Sequence, residues 1–599
     1  MLLLDTSLRS ASAAQRVARG VHVIIHLSMS RLATVVCVLL LAIAIALQGR
    51  MAAGVLASDL AAPDPPAQFT TGVMVHDYLR YALWSNPVAF AESFYVRFPK
   101  VALGQWPPVY FAVQAAWYLV FPISPDSARV LSAAIALAMA VMLFLRLRRS
   151  CGSVAASAAT AVFLSFQRIQ LAAWEVMSDL LTGLFVLLAV LSLSTFLEEP
   201  RRRRSAWYFA LWSSAALLTK GSAFPLAPFA LLAPLLAWRP RCFGVIWYWA
   251  SGIACAIASA PFYIFVARMG FGYPTRILAS GADLNSSKFV YLTKLWGTAP
   301  TLVWTLAAVG FATAVHHRWR GANDESATTD ALLAGTWILA QVLSLMAFSL
   351  TREPRVFIPA LAPAAILFGY CVHRIQRVLR HRPVLAMAAP AVLGLLCIAT
   401  CRAAPVLRID GYQAAIDSIP YRPEGCLMLA SGDASGQGAI VAERLAHDPW
   451  RSGIVLEASH VLAEASWFGR HYRALFADAD EVRKYLMDLP VRYILLDDSW
   501  KPMMSARQLD KLDKTVPPSW GRIQPDNGSM SFAEQLDETV SASPQDFALL
   551  GRFPIHGSGR YLGEVRVYEN LRAGERRPAV VRVRLSLDRG GRTLEYRWK

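Results

Sequence analysis

Long runs of apolar residues recur along the first two thirds of the chain, separated by short polar turns that are rich in arginine. A helix needs about 20 predominantly apolar residues to cross a bilayer, so the pattern predicts a polytopic α-helical membrane protein with about eleven transmembrane helices. The run at 32–49 has no clear cleavage site after it and is interpreted as a retained anchor. The runs lie near 32–49, 128–146, 152–172, 180–197, 206–222, 224–238, 243–267, 298–315, 331–350, 356–373 and 384–402.

One further apolar run, Val109–Phe121, decides the predicted topology. It has about thirteen residues and follows the rigid pair Pro107-Pro108, which makes it short for a span. If it does not span, all six arginine clusters face the cytoplasm, whereas if it spans, five of the six face outward. Because cytoplasmic loops carry the excess of Lys and Arg, we expect an interfacial or re-entrant helix on the outer face. The clusters lie before residue 32 and near 146–149, 201–204, 239–241, 318–320 and 374–382.

This topology divides the chain into three parts. Residues 1–31 form a cytoplasmic segment, and residues 32–402 form the transmembrane domain with a large first outer loop at 50–127. Residues 403–599 lie outside and have the composition of a soluble domain. We therefore expect a multi-pass protein of the bacterial inner membrane, with a cytoplasmic N-terminus and a periplasmic C-terminal domain.

The segment after Arg402 alternates between strand-like and helix-like runs, which predicts an α/β domain with antiparallel strands towards its end. Gly432, Gly436 and Gly438 do not have the spacing of a dinucleotide-binding loop and are interpreted as a strand-to-helix turn. Strand-like runs lie at 426–432, 453–459, 491–498, 561–569 and 579–588, and helix-like runs at 438–448 and 480–489.

Composition excludes several classes of function. The chain is 55% hydrophobic and 17% charged, with a formal net charge of +18. The positive charge sits between apolar runs, so it indicates membrane topology, and we predict no nucleic-acid partner. Most of the eight cysteines lie inside apolar runs and lack the spacing of metal ligands, so neither a metal nor a cofactor is predicted.

Ionisable residues in outer loops and turns are the candidates for chemistry. His76 and Asp77 lie in the first outer loop. Asp77 suits a general base that deprotonates an acceptor hydroxyl or amine, or alternatively it caps a helix that it opens. Asp59, Asp64 and Glu92 lie in less ordered surroundings of the same loop and are weaker candidates.

A second set of candidates follows later in the chain. Glu175 and Asp179 are four residues apart and share a face if helical, although they could equally neutralise charge at a helix end. Outer cations could hold a lipid phosphate, or they could simply reach towards lipid headgroups. These cations are Lys100, Lys220, Arg352 and Arg355.

The order of these features resembles the membrane glycosyltransferases of the GT-C class, in the branch of the protein O-mannosyltransferases and lipid A aminoarabinose transferases. A large loop with an early acid is followed by Pro107-Pro108-Val109-Tyr110, a second acidic turn, Thr219-Lys220-Gly221, and Arg355. The resemblance covers roughly residues 30–400. It implies a GT-C-like fold and a sugar donor linked to a polyprenyl phosphate.

The resemblance also implies roles for single residues. Asp77 matches the acidic position of the general base, although relatives often have two adjacent acids there and Tyr78 follows Asp77 in this chain. Glu175 and Asp179 fall in the second acidic turn, and relatives often need only one of them. The positions that match residues near the lipid phosphate are Lys100, Lys220 and Arg355, and His76 and Arg352 join them as candidates for substrate binding.

The predicted function is transfer of a sugar from a polyprenyl-phosphate donor to a cell-envelope acceptor, with inversion at the anomeric carbon. The acceptor is a glycan, a glycolipid or a protein, and neither it nor the sugar is specified by the residues. The main alternative is a transporter or flippase for a lipid-linked envelope precursor. The chain shows no internal repeat and no matched pair of Gly/Pro-broken spans, which favours the enzyme.

Overall fold

Helices form the membrane part of the molecule. The computed structural model describes residues 48–49, 53–56, 58–101, 104–268, 289–321, 326–348, 353–402, 408–420, 422, 425–464, 473–499, 532–573, 580–584 and 593–597. The helices are α1 Ala53–Leu56, α2 Pro65–Tyr81, α3 Pro87–Arg97, α4 Val109–Tyr118, α5 Pro125–Cys151, α6 Ser153–Ser165, α7 Gln167–Ala172, α8 Asp179–Glu198, α9 Arg203–Leu217, α10 Leu226–Leu236, α11 Ile246–Arg268, α12 Val290–Trp296, α13 Thr301–Trp319, α14 Ser326–Phe348, α15 Ile358–Val378 and α16 Pro383–Thr400.

Within the described residues, six helices are long and apolar enough to cross a membrane, and a seventh span is possible if the bent pair α12 and α13 is one span. The two helices of that pair meet at 103°. This arrangement confirms a polytopic α-helical membrane protein, whereas the predicted number of about eleven spans stays a prediction. Ten of the eleven predicted runs fall on helices, and the first run, 32–49, lies almost wholly outside the described residues. The predicted span at 152–172 is interrupted at Phe166, where one helix ends and the next begins.

Helix α15 lies at the centre of the bundle, and small residues explain its position. In an 18-residue apolar stretch of the span that contains it, 94% of the residues are buried, against 17% for α16. Ala360 and Ala364 are fully buried, and a Cβ on Gly369 would lie 3.1 Å from side-chain atoms of Ala159 and Leu147, so small residues allow close packing. On the facing helix α13, a Cβ on Gly310 would lie 2.4 Å from the carbonyl oxygen of Leu367, so the two backbones approach closely.

The first loop contains its own short helices. Asn86 caps α3, because its Oδ1 accepts hydrogen bonds from the backbone N–H groups of Val88 and Ala89 at 2.9 and 3.3 Å. Helix α4 has ten residues and is therefore about 15 Å long, half of the thickness of a hydrocarbon core. That length suits the interfacial or re-entrant helix expected from the sequence, and its position in a bilayer stays a prediction.

The C-terminal domain is built on a six-stranded mixed sheet with the order β1-β7-β8-β6-β2-β3, which confirms the predicted α/β domain. Strands β3, β2 and β6 are parallel, and β6, β8, β7 and β1 pair antiparallel. Strand β7 was not predicted, because Gly551 and Pro554 interrupt its pattern. The strands are β1 Ile409–Asp410, β2 Leu427–Ser431, β3 Ile454–Glu457, β4 Ala463–Glu464, β5 Arg473–Ala474, β6 Val491–Asp497, β7 Phe547–Gly557, β8 Arg560–Asn570, β9 Val580–Arg584 and β10 Thr593–Arg597, and the helices are α17 Tyr412–Asp417, α18 Ala434–His447, α19 Ala458–Val461, α20 Ala479–Asp488 and α21 Phe532–Ala542.

The C-terminal domain packs directly on the first loop. One hydrophobic core contains Phe69 and Val73 of α2 together with Ile440 of α18. Polar contacts add to it, since the backbone N–H of Tyr412 donates to Asp59 Oδ2 at 2.7 Å. The first loop and the C-terminal domain therefore lie at the same end of the helical bundle, which we call the loop end.

Candidate functional site

Five charged side chains from four separate segments gather at the loop end, and we call this group the ionic site. Asp64 precedes α2, Glu175 lies in the turn between α7 and α8, and Asp179 begins α8. Lys220 follows α9, and Arg355 lies in the 3₁₀ turn Pro354–Phe357 that leads into α15. Direct contacts or electrostatic influence link all five.

Asp179 and Lys220 form the inner pair of the ionic site. Lys220 Nζ donates to both carboxylate oxygens of Asp179, at 2.8 and 2.7 Å. The Asp179 side chain is 3% exposed and the Lys220 side chain 16%. Asp179 is the first residue of α8, where the positive end of the helix dipole favours a carboxylate. Both the lysine and the helix dipole thus stabilise the Asp179 carboxylate, while part of the Lys220 side chain stays exposed.

Arg355 and Asp64 form the outer pair. An Nη2 of Arg355 donates to Asp64 Oδ2 at 2.6 Å, and its Nε donates to Glu353. The two side chains of the outer pair are 28% and 22% exposed. Helix α14 holds the turn that carries Arg355, because Gln341 Nε2 donates to the carbonyl oxygen of Val356 at 2.6 Å. Arg355 thus lies on a rigid support while its guanidinium stays accessible.

Glu175 stands between these pairs. Ser132 Oγ donates to its carbonyl oxygen at 2.7 Å, which anchors the turn to α5. The residue is exposed at the mouth of the site, yet protein surrounds its carboxyl, and this desolvation raises the pKa of Glu175. The neighbouring Asp179 raises it further, and the cations Arg355, Arg168 and Lys220 oppose the shift. Glu175 therefore binds a proton more readily than a free glutamate does.

Asp77 does not join the ionic site. It lies near the C-terminal end of α2, thirteen positions beyond Asp64, which corresponds to about 20 Å along a helix. Its carboxylate is buried, accepts from Arg451 Nε at 2.9 Å and lies 2.9 Å from His76 Nδ1. The alternative that Asp77 opens a helix is wrong, because α2 begins at Pro65. Asp77 thus contacts the C-terminal domain through Arg451, whereas His76 packs against Asp77 and the ring of Tyr118 within the first loop.

Lys100 also lies away from the ionic site. It is 4% exposed, and its Nζ donates to the carbonyl oxygen of Ala434 at 2.7 Å, at the start of α18. A Cβ on Gly438 would lie 2.7 Å from Lys100 Cε, so a side chain at this position would displace the end of the lysine. Arg352, the remaining predicted cation, lies outside the described residues.

Sequence reasoning ranked Asp64 below Asp77, although a local signal was present. Asp64 stands directly before Pro65-Pro66, and proline at the first helical position is typical of a helix start. Asp64 occupies the N-cap position without a capping hydrogen bond from its side chain, so its carboxylate is available to Arg355. The contact itself joins residues 291 positions apart, which no local pattern reveals.

The ionic site can hold an anion and accept a proton at the same place. Lys220 and Arg355 offer donors to a phosphate, and Asp64, Glu175 and Asp179 offer acceptors. Among the residues that the structure describes, no group of three or more His, Cys, Asp and Glu side chains is arranged to hold a metal ion.

Comparison with known proteins agrees with the class of enzyme that the motifs suggested. Residues 105–265 match the family model of dolichyl-phosphate-mannose-protein mannosyltransferase. This match covers α4 to α11 and includes three members of the ionic site. It confirms the resemblance to GT-C glycosyltransferases of the protein O-mannosyltransferase branch.

Solved structures of low similarity were also found. ArnT from Cupriavidus metallidurans bound to undecaprenyl phosphate is 14% identical, with a TM-score of 0.49, and the match covers 89% of this chain and 99% of that one. The Archaeoglobus fulgidus oligosaccharyltransferase in complex with Zn and sulfate is 12% identical, with a TM-score of 0.43 and coverage of 73% and 64%. No functionally curated protein matches the chain.

Proposed function

We propose that the protein is a glycosyltransferase that moves a sugar from a polyprenyl-phosphate donor to an acceptor that reaches the loop end. The observation that carries the proposal is the ionic site, in which two cations and three carboxylates meet at one end of a membrane bundle. A lipid-linked donor suits this place, because its chain can stay in the bilayer while its phosphate reaches Arg355 and Lys220. The name of the matching family, which includes a polyprenyl-phosphate mannose, supports the same donor class.

The reaction is proposed as a direct displacement at the anomeric carbon, with inversion. The acceptor oxygen or nitrogen attacks the carbon, the bond to the phosphate oxygen breaks, and the phosphate leaves with the electron pair. We assign the acceptor proton to Asp64, because this carboxylate is partly exposed and is not used as a cap. Asp64 takes the place that the resemblance gave to Asp77.

The cations are proposed to stabilise the leaving phosphate. Arg355 has a planar fork of donors that matches two phosphate oxygens, and Lys220 supplies a compact charge. A phosphate that engages Arg355 competes for the donor that now contacts Asp64 at 2.6 Å, which frees the carboxylate to accept the proton of the acceptor. Donor binding and base activation are thus coupled in this mechanism.

The direct test is transfer of radiolabel by the purified full-length protein in lipid nanodiscs. A polyprenyl phosphate carrying a labelled sugar is incubated with a membrane extract as the source of acceptor, and label is followed into acceptor and into free sugar. We expect protein-dependent loss of label from the donor. Movement of the donor between leaflets without cleavage of the sugar–phosphate bond would instead identify the transporter or flippase.

The proposed orientation places the loop end in the periplasm of a bacterium. Alkaline phosphatase is active only after export, so a fusion after residue 149 is expected to be inactive and a fusion after residue 420 active. An active fusion at 149 would mean that Val109–Phe121 spans, and the orientation would then be reversed for every later loop.

A further inference from the structure

The geometry of the inner pair conflicts with the proposed role of Lys220. Both carboxylate oxygens of Asp179 accept from Lys220 Nζ, at 2.8 and 2.7 Å, and the Asp179 side chain is 3% exposed. If Lys220 moves to a phosphate, it leaves a buried carboxylate without this partner, which is strongly unfavourable. Arg355 is assigned to the same phosphate, so it is not the replacement. Another donor must therefore take over Asp179 when the phosphate binds.

Tyr110 is one donor of this kind. It is the second residue of α4, its side chain is fully buried, and its hydroxyl lies close to that of Ser132 and within the electrostatic range of Asp179. Among the residues that the structure describes, none forms a hydrogen bond of normal geometry with this hydroxyl. Buried polar groups are nearly always hydrogen-bonded, and a bond left unmade costs free energy. The hydroxyl of Tyr110 is therefore placed to bind a partner in another state of the site.

The position of Tyr110 is fixed relative to Lys220. The backbone N–H of Val109 donates to the carbonyl oxygen of Leu218 at 2.9 Å, and Leu218 precedes Lys220 by two residues. The start of α4 is thus tied to the segment that carries the lysine, so the lysine side chain can move while Tyr110 stays in place. Ser132 does not compete for Asp179, because its Oγ donates to the carbonyl oxygen of Glu175 at 2.7 Å.

Ser178 is a second donor of this kind. It directly precedes Asp179, is 1% exposed and occupies the N-cap position of α8 without a capping hydrogen bond from its side chain. Its hydroxyl also has no hydrogen-bond partner in the part of the chain that the structure describes. A hydroxyl proton can rotate to suit an acceptor. Tyr110 and Ser178 together therefore provide two donors, the number that Lys220 now supplies to Asp179.

We propose that Tyr110, together with Ser178, is a positioning residue that takes over the Asp179 carboxylate when Lys220 moves to a lipid phosphate. Before the phosphate binds, Lys220 neutralises Asp179. Once it has bound, the two hydroxyls hold the carboxylate, so that the buried charge does not lack donors in either state. The assignment rests on the proposed function for the identity of the anion, and it specifies how the ionic site admits that anion.

Binding of a polyprenyl phosphate without a sugar tests this exchange, because it requires no transfer. Full-length protein in nanodiscs is titrated with a radiolabelled short-chain polyprenyl phosphate, and empty nanodiscs give the background. Tyr110→Phe and Ser178→Ala each remove one hydroxyl.

Tyr118→Phe is the matched control. Tyr118 lies about two turns later on α4 and is 3% exposed. Its hydroxyl likewise has no hydrogen-bond partner among the described residues, but its ring packs against Phe69 of α2. The control therefore removes a similar hydroxyl from the same helix, away from the ionic site.

We expect the affinity for the polyprenyl phosphate to fall about tenfold in Tyr110→Phe and severalfold in Ser178→Ala, because each loses a hydrogen bond to a charged group that forms only in the bound state. Tyr118→Phe should bind like the wild type. The unfolding midpoint of phosphate-free Tyr110→Phe should not fall, since the change removes a buried hydroxyl that no described residue satisfies. Loss of affinity without loss of stability distinguishes this role from a structural one.

A double-mutant cycle with Asp179→Asn identifies the partner of Tyr110. Asparagine has no charge, so Lys220 can leave it at little cost, and Tyr110→Phe should then change the affinity by less than about twofold. If Asp179→Asn does not fold, the affinity of Tyr110→Phe alone decides.

The exchange is overturned by wild-type affinity in Tyr110→Phe, by a tenfold effect that persists in the Asp179→Asn background, or by a wild type that does not bind the polyprenyl phosphate. Wild-type affinity in Ser178→Ala removes that residue from the exchange. The radiolabel assay judges the glycosyl transfer separately. Phosphate binding without cleavage of the donor would reject the transferase and leave the exchange in place.

Discussion

Two ionic clusters lie in the same helical bundle, and they differ in how completely their charges are satisfied. At the loop end, Arg355 and Asp64 are 28% and 22% exposed. The other cluster joins Arg146 of α5 to Asp330 of α14 through two hydrogen bonds of 2.6 and 2.7 Å. Asp330 is 1% exposed and Arg146 is 19% exposed, and Asp330 also accepts from Ser194 Oγ at 2.6 Å. We call this second cluster the sealed pair.

The sealed pair lies far from the ionic site. Helix α8 shows this, because it carries Asp179 of the ionic site at its start and Ser194, a partner of Asp330, far along its length. Asp179 begins α8, and Ser194 follows it by fifteen residues, or about 22 Å. A buried pair with both partners saturated holds helices in register but offers nothing to a ligand. At the loop end, the inner pair Asp179–Lys220 is buried to a similar degree, and it is the outer pair Arg355–Asp64 that keeps donors and acceptors accessible. The comparison therefore distinguishes a structural ion pair from a pair whose charged groups are placed to bind a ligand.

The largest expected effect is on turnover at the loop end. Asp64→Asn removes the proposed base and is expected to reduce transfer by about 10²–10⁴-fold. Asp77→Asn is the matched control on the same helix, and it should retain most turnover, because Asp77 contacts Arg451 of the C-terminal domain. Initial rates with radiolabelled donor measure both. If Asp77→Asn lost turnover while Asp64→Asn kept it, Asp77 would be the general base.

The sealed pair should matter for stability instead. Asp330→Ala leaves Arg146 buried without its carboxylate, and breaking a buried pair in this way costs about 3–5 kcal/mol. Glu199→Ala removes an exposed partner of Arg202 and should cost less than about 1 kcal/mol. Unfolding midpoints in detergent compare the two. Equal midpoints would show that the sealed pair contributes no more than a surface pair.

A smaller effect is expected from Arg355→Lys. Lysine keeps the charge but loses the planar fork, and one charge-assisted hydrogen bond is worth about 1.5–3 kcal/mol, so donor KM should rise about tenfold or more. The KM for acceptor should change less. Donor kinetics like those of the wild type in Arg355→Ala would remove this residue from the phosphate site.

The smallest effect concerns pH and the docking of the C-terminal domain. Burial raises the pKa of Glu443 to about 8, and Asp59 adds to the shift, so the folded state favours protonated Glu443. A raised pKa stabilises the fold at low pH, and this stability is lost as pH rises towards 8. The unfolding midpoint should therefore fall from pH 5 to pH 8, and it should fall less in Glu443→Gln. An identical fall in both proteins would assign the pH dependence to other groups.

The sequence by itself determined the helical membrane part, the change of composition after Arg402 and the α/β character of the final domain. These features follow from local periodicity and composition, because a helix or strand shows its buried positions at fixed intervals. Lys220 and Arg355 were also identified from the sequence as candidate cations, and the structure places them together. Their roles stay proposals.

Only the tertiary structure decided which acid of the first loop contacts Arg355. Asp64 directly precedes α2, and Asp77 lies near the C-terminal end of the same helix. One end of the helix faces Arg355, 291 residues later, and the other faces Arg451, 374 residues later. Which end of a helix faces which partner depends on how distant segments pack, and periodicity within the helix carries no information about that packing.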